Sequence, residues 1–204
     1  MNTQTTRKYI LFFGLFIAFA LGSCEKEKNG LDTPNSPTPV MEYFEFNNRE
    51  IRAGIPGFSI DLNRDARIDL VFSTLLVGDP LNQVDKLQFL VQSNIKVNLP
   101  VKVGEEIPVM NKGDLIALTN FQGYQWFELS SIVLVQKIIS FNQAPIWEGH
   151  WKLAANKYIP FQIIVSDKIY GGWIEMSVNT ANEKLIVHRA AISKDANKVV
   201  KAGF

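Results

Sequence analysis

The sequence predicts an all-β protein: a single antiparallel β-sandwich, jelly-roll or concanavalin-like, of about ten strands. Three observations carry that expectation. From Met41 onward, short runs rich in Val, Ile, Phe, Tyr and Trp recur, Gly, Asn, Asp and Pro punctuate them, and no amphipathic helix longer than a couple of turns fits the same residues. The chain of 204 residues is 47% hydrophobic with a net charge of +1. That suits one compact domain with a sizeable core, and gives no electrostatic reason to expect nucleic acid as a partner.

The chain opens on a targeting segment. Met1–Lys8 carries Arg7 and Lys8 and no acid, and Tyr9–Leu21 is an almost unbroken apolar run, too short to cross a bilayer comfortably. The run closes on Leu21-Gly22-Ser23-Cys24, with the only cysteine of the chain last. These four residues resemble the lipobox of bacterial lipoproteins. The resemblance implies that 1–23 is a removable signal, that Cys24 becomes the lipidated first residue, and that acyl chains hold the protein on a membrane of the bacterial envelope, the outer membrane by preference. A mature domain without cysteine excludes disulfides, thiolate metal sites and a cysteine nucleophile.

Residues 24–40 hold three prolines and almost nothing apolar, which predicts an extended tether. The domain proper is then 41–204. Its expected strands are Tyr43–Phe46, Phe58–Leu62, Arg67–Leu75, Lys86–Gln92, Lys96–Val101, Ile116–Leu118, Trp126–Val135, Tyr158–Val165, Ile169–Val178 and Leu185–Ile192. Ser166-Asp167-Lys168 and Asn179–Glu183 are turn sequences, so the last three strands read as a meander. Pro160 lacks an N–H, and predicts an edge or a bulge near the start of the first of them.

One loop combines spacing with chemistry. Asp61, Asn63, Asp65 and Asp69 occupy the first, third, fifth and ninth positions of a stretch flanked by apolar strands, and the Arg67 carbonyl falls at the seventh. That is an order of oxygen donors suited to Ca²⁺. Two readings stay open. A cation neutralises three crowded carboxylates, or Arg64 and Arg67 pair with them while Asx turns hold the loop. Ala66 stands where such loops favour a residue with positive φ.

Elsewhere the chemistry is sparse. His150 and His188 have no metal-like partner at helical or alternate spacing, and no Gly-x-Ser-x-Gly or phosphate-cradling loop occurs. Glu128, Glu148 and Glu175 with Trp126, Trp147, Trp151 and Trp173 compose the alternative function, a carbohydrate-binding surface or a carbohydrate-active enzyme. The leading expectation is a non-enzymatic binding or envelope-structural module whose partners are the membrane, through Cys24, and a glycan or envelope protein. No cofactor is expected beyond the Ca²⁺ ion.

Four segments together carry a broader resemblance: Ile60-Asp61-Leu62-Asn63-Arg64-Asp65, Tyr158-Ile159-Pro160-Phe161, Tyr170-Gly171-Gly172-Trp173-Ile174-Glu175-Met176-Ser177, and the tail from Ala190-Ala191 to Lys201-Ala202-Gly203. They resemble a group of secreted or lipid-anchored bacterial proteins with an "IDLNGDG-x-x-D" loop and a "YGWIRLSV" strand. The resemblance implies an extracytoplasmic β domain and no assigned activity. Ala66 replaces a glycine of that pattern, and Gly171 an aromatic.

Overall fold

The structure, a computed structural model, describes residues 38–204. Cys24, the signal segment 1–23 and most of the 24–40 tether lie outside the described residues. The fold is an antiparallel β-sandwich of two sheets with an additional two-stranded ribbon. The six-stranded sheet runs β1 (Met41–Ile51), β12 (Lys184–Ser193), β11 (Lys168–Asn179), β10 (Lys157–Val165), β5 (Val97–Val101), β7 (Gln125–Glu128). The five-stranded sheet runs β2 (Phe58–Ile60), β3 (Leu70–Asp79), β4 (Val84–Ser93), β8 (Ser131–Ser140), β9 (Ile146–Glu148). The ribbon pairs β6 (Leu115–Ile116) with β13 (Val200–Lys201).

Alternation places the main core between the sheets. Phe161, Ile174, Met176, Val187 and Ala190 from one sheet meet Phe72, Phe89, Val91 and Leu134 from the other, all at most 1% exposed. A second core covers part of the outer face of the larger sheet, where Tyr158, Trp173 and Ala191 pack under Met110, Ile116, Val200 and Ala202. The central strand β10 is therefore covered on both faces and reads as an apolar run instead of an alternation. Gly172 is required by the main core: a Cβ there would lie 2.2 Å from the Phe161 ring and 2.5 Å from the Ala191 carbonyl oxygen.

The predicted meander is present, with β10, β11 and β12 adjacent in sequence order. Pro160 pairs with Trp173 on one side, and on the other sits between the Met110–Tyr158 bridge and the Gln162–Asn98 pair. Its missing N–H thus falls in a gap of the ladder, which makes a local edge inside a central strand.

Two expectations are corrected. The run Trp126–Val135 is two strands in different sheets, β7 and β8, because Leu129 turns the chain with a φ of 53°. The strand predicted from Arg67 starts at Leu70, since Arg67 to Asp69 belong to the loop. With the short β9 and β13 the described residues hold thirteen strands, in keeping with the predicted antiparallel β-sandwich.

The sandwich has two distinct ends. Val40, where the chain enters, accepts a hydrogen bond from the Lys194 N–H, and the β2–β3 loop, the β4–β5 turn and the β10–β11 turn gather at that end. The β3–β4 turn, the β8–β9 loop and the β11–β12 turn form the other, tied across by Lys137 and Glu183 at 2.5 Å.

Candidate functional site

The Asp61–Asp69 loop is built almost wholly from carboxylates and amides receiving backbone N–H groups. Asp61 Oδ2 accepts from Ala66 N (2.9 Å), Asn63 Oδ1 from Asp65 N (3.1 Å), Asp65 Oδ1 from Arg67 N (2.9 Å) and Asp69 Oδ2 from Leu62 N (2.6 Å). Each of the four predicted side chains therefore turns into the loop. They wind the backbone so that Arg64 and Ala66 adopt φ of 57° and 66°. The closing pair, Asp69 N–H to Ile60 C=O at 2.8 Å, completes the hairpin.

Its electrostatics are unfavourable as it stands. Asp69 is 3% exposed, and burial pushes its carboxyl up to about 6, the nearby Asp61 and Asp65 adding to the rise against the N–H bonds from Leu62 and Asn63. Asp61 spends Oδ2 on Ala66, and its Oδ1 is buried without a hydrogen-bond partner. The arginines do not relieve this. Arg64 turns away to Glu42 at 2.7 Å and over the Phe44 ring, and Arg67 has no ion pair among the described residues. The arginine-paired version of the loop is thus not formed, whereas its Asx turns are.

An orphaned carboxylate oxygen beside a buried acid suits a hard cation with oxygen ligands. Among the described residues no three His, Cys, Asp or Glu side chains converge as around an ion. A Ca²⁺ shell here would require the Asp61, Asp65 and Asp69 carboxylates to draw together from these positions, with Asn63 Oδ1 and the Arg67 carbonyl completing it.

The carbohydrate residues are not brought together. Trp151 and Trp173 are fully buried, their Nε1 groups donating to the Ile107 and Phe204 carbonyls. Glu175 is ion-paired to Arg189 at 2.6 Å, and Glu128 accepts from Lys96 N. Trp126 packs beside Phe121, and Trp147 against Phe89.

Sequence reasoning missed one polar chain. At the bulge of β12 the extra residue His188 places Nε2 2.8 Å from Ser177 Oγ and Nδ1 2.7 Å from Asn48 Oδ1. In the Nδ1–H tautomer the ring donates to Asn48 Oδ1 and Nε2 accepts from the Ser177 hydroxyl, whose other acceptor in reach is Asn156 Oδ1 at 3.4 Å. Burial lowers the His188 pKa, which favours that neutral form. The order hydroxyl, imidazole, amide is that of a nucleophile relay. Here Ser177 Oγ also accepts the Asn156 N–H at 2.9 Å, so the chain ties β1, β12, β11 and the segment before β10 together. Residues 48, 156, 177 and 188 share no local motif, and no signal in the sequence links them.

His150 joins no such cluster among the described residues. Set against known protein families, curated proteins and solved structures, the chain matches none.

Proposed function

We propose that this protein is a lipid-anchored module of the bacterial cell envelope, held at the outer membrane by acyl chains on Cys24. It acts by binding or by structural support, without catalysis, and Ca²⁺ stabilises its Asp61–Asp69 loop. The observation that carries this reading is Leu21-Gly22-Ser23-Cys24 directly behind a basic start and an apolar run, followed by a polar, proline-bearing tether. A sandwich with no cysteine after Cys24 fits it, since nothing in the domain competes for the thiol chemistry. The buried Trp151 and Trp173 favour a plain module over a carbohydrate enzyme, because indoles packed between elements are not available for stacking on sugar rings.

Growth with labelled palmitate tests the anchor. The wild type should incorporate label and shift to the mature mass, and Cys24→Ala should do neither. Label retained on the mutant would overturn the proposal.

A further inference from the structure

The end of the sandwich that carries the Asp61–Asp69 loop also carries an unusual set of exposed apolar tips. Ile68 in the β2–β3 loop, Ile95 in the β4–β5 turn and Val165 at the β10–β11 turn are 45%, 65% and 42% exposed. All three line one recess of about 300 Å³. Single exposed apolar residues are ordinary on a protein surface. Three from separate turns around one recess form a patch. Arg67 and Lys96 stand next to Ile68 and Ile95 in sequence, line the same recess, and have no carboxylate ion pair among the described residues; Asp65 and Asp69 line it too, so the rim is charge-balanced and its grip on a bilayer rests on the apolar tips. Long cationic side chains flanking apolar tips suit a boundary where the tips enter hydrocarbon and the charges stay at the headgroups.

The point of chain entry selects the occupant. Val40 and Glu42 adjoin this end, and Glu42 lines a second recess that shares Asn63 and Val165 with the first. Val40 follows Cys24 by sixteen residues (40 − 24), so along the chain the loop end is the one nearer the anchor. The opposite end lies about 33 Å farther off, the length of a ten-residue strand such as β3. An anchor on Cys24 therefore holds the loop end, and not the far end, at high effective concentration against the bilayer.

We infer that the tips Ile68, Ile95 and Val165 dock on the lipid surface that holds the acylated Cys24, fixing the sandwich upright with its β3–β4 turn outward. The inference rests on the anchor proposed above.

The test uses the full lipidated protein in vesicles of phosphatidylethanolamine and phosphatidylglycerol. Because Cys24 is the sole cysteine and is acylated in the mature chain, Ile95→Cys and Leu81→Cys each offer one thiol for a polarity-sensitive fluorophore. Leu81, 92% exposed in the β3–β4 turn, reports the far end. Nitroxide-bearing lipid should quench the label at 95 at least severalfold more than the label at 81. In a Ser166→Cys protein, adding Ile68→Asp and Ile95→Asp should cut the quenching of a label at 166. Protein that fails to float with the vesicles refutes the anchor itself. Protein that floats with equal quenching at 81 and 95 overturns the docking alone. A label at 95 that shifts to the blue without quenching, in proportion to protein density, overturns it in favour of a second copy on the same face.

Discussion

At the scale of single residues, the loop carries two costs that can be removed separately. Ala66 sits at φ 66° with its side chain exposed, a conformation that costs an L-residue about 1–2 kcal/mol and glycine little. Ala66→Gly should raise stability by about 1 kcal/mol, read as a gain of about 2–4 °C in Tm. A loss would show that the Asp61–Ala66 bond does not fix this backbone. The other cost is the charge on Asp69. Its carboxyl titrates at about 6 in the fold against 3.8 unfolded, so the native state binds the extra proton between those values. The favourable contribution is present below the unfolded value and is lost as pH rises through about 6, on the order of 3 kcal/mol in all. In chelator, wild type should therefore lose stability relative to Asp69→Asn as pH rises from 4 to 6. A constant difference between the two across that range would contradict a buried, uncompensated carboxylate.

At the scale of elements, legibility followed local chemistry. The meander could be read because Ser166-Asp167-Lys168 and Asn179–Glu183 announce their turns and the intervening strands are long. The break between β7 and β8 could not, because its turn is made by Leu129, a residue that sequence patterns place inside strands. The four loop donors were legible for the opposite reason: their spacing is local, and each bonds within a few residues. The Asn48–His188–Ser177–Asn156 chain was illegible, since a bulge in β12 and positive φ at Asn47 and Asn48 bring together residues far apart in sequence. Ser177→Ala leaves His188 Nε2 and the Asn156 N–H without a partner and should cost about 1–3 kcal/mol. The loss should not add to that of His188→Ala, as expected for one shared tie. Simple additivity in the double mutant would dissolve the chain into unrelated bonds. His188 acts on pH in the sense opposite to Asp69: with its pKa lowered by burial, its contribution is present above 6.5 and is lost as pH falls below that value through the lowered folded one.

For the whole molecule, composition was enough to fix class but not purpose. Antiparallel sheets follow from strand-forming runs at close intervals, whereas a ligand leaves no trace in hydrophobic periodicity. The covering of β10 on its outer face depended on Gln162, whose side-chain amide donates to the Ala117 and Leu118 carbonyls, a long-range bond that no local pattern signals. Calcium should act on the molecule as a unit. If the loop binds with a Kd on the order of 10⁻⁴–10⁻³ M, tenfold excess adds about 1.4 kcal/mol, or roughly 3–5 °C in Tm. Asp65→Ala should abolish that rise. An unchanged wild-type Tm, or an equal rise in the mutant, would leave the loop as a metal-free hairpin.

The edge strand β1 has a meaning beyond its own sheet. Between Glu45 and Arg49 its pairing with β12 slips, Asn47 and Asn48 turn to positive φ, and Glu42, Glu45, Arg49 and Glu50 line the strand. If the proposed anchor holds these domains on a lipid surface, they meet one another in two dimensions, at local densities that invite open strands to zip together edge to edge. A bent, charged border denies a neighbour the straight template that such pairing along β1 needs.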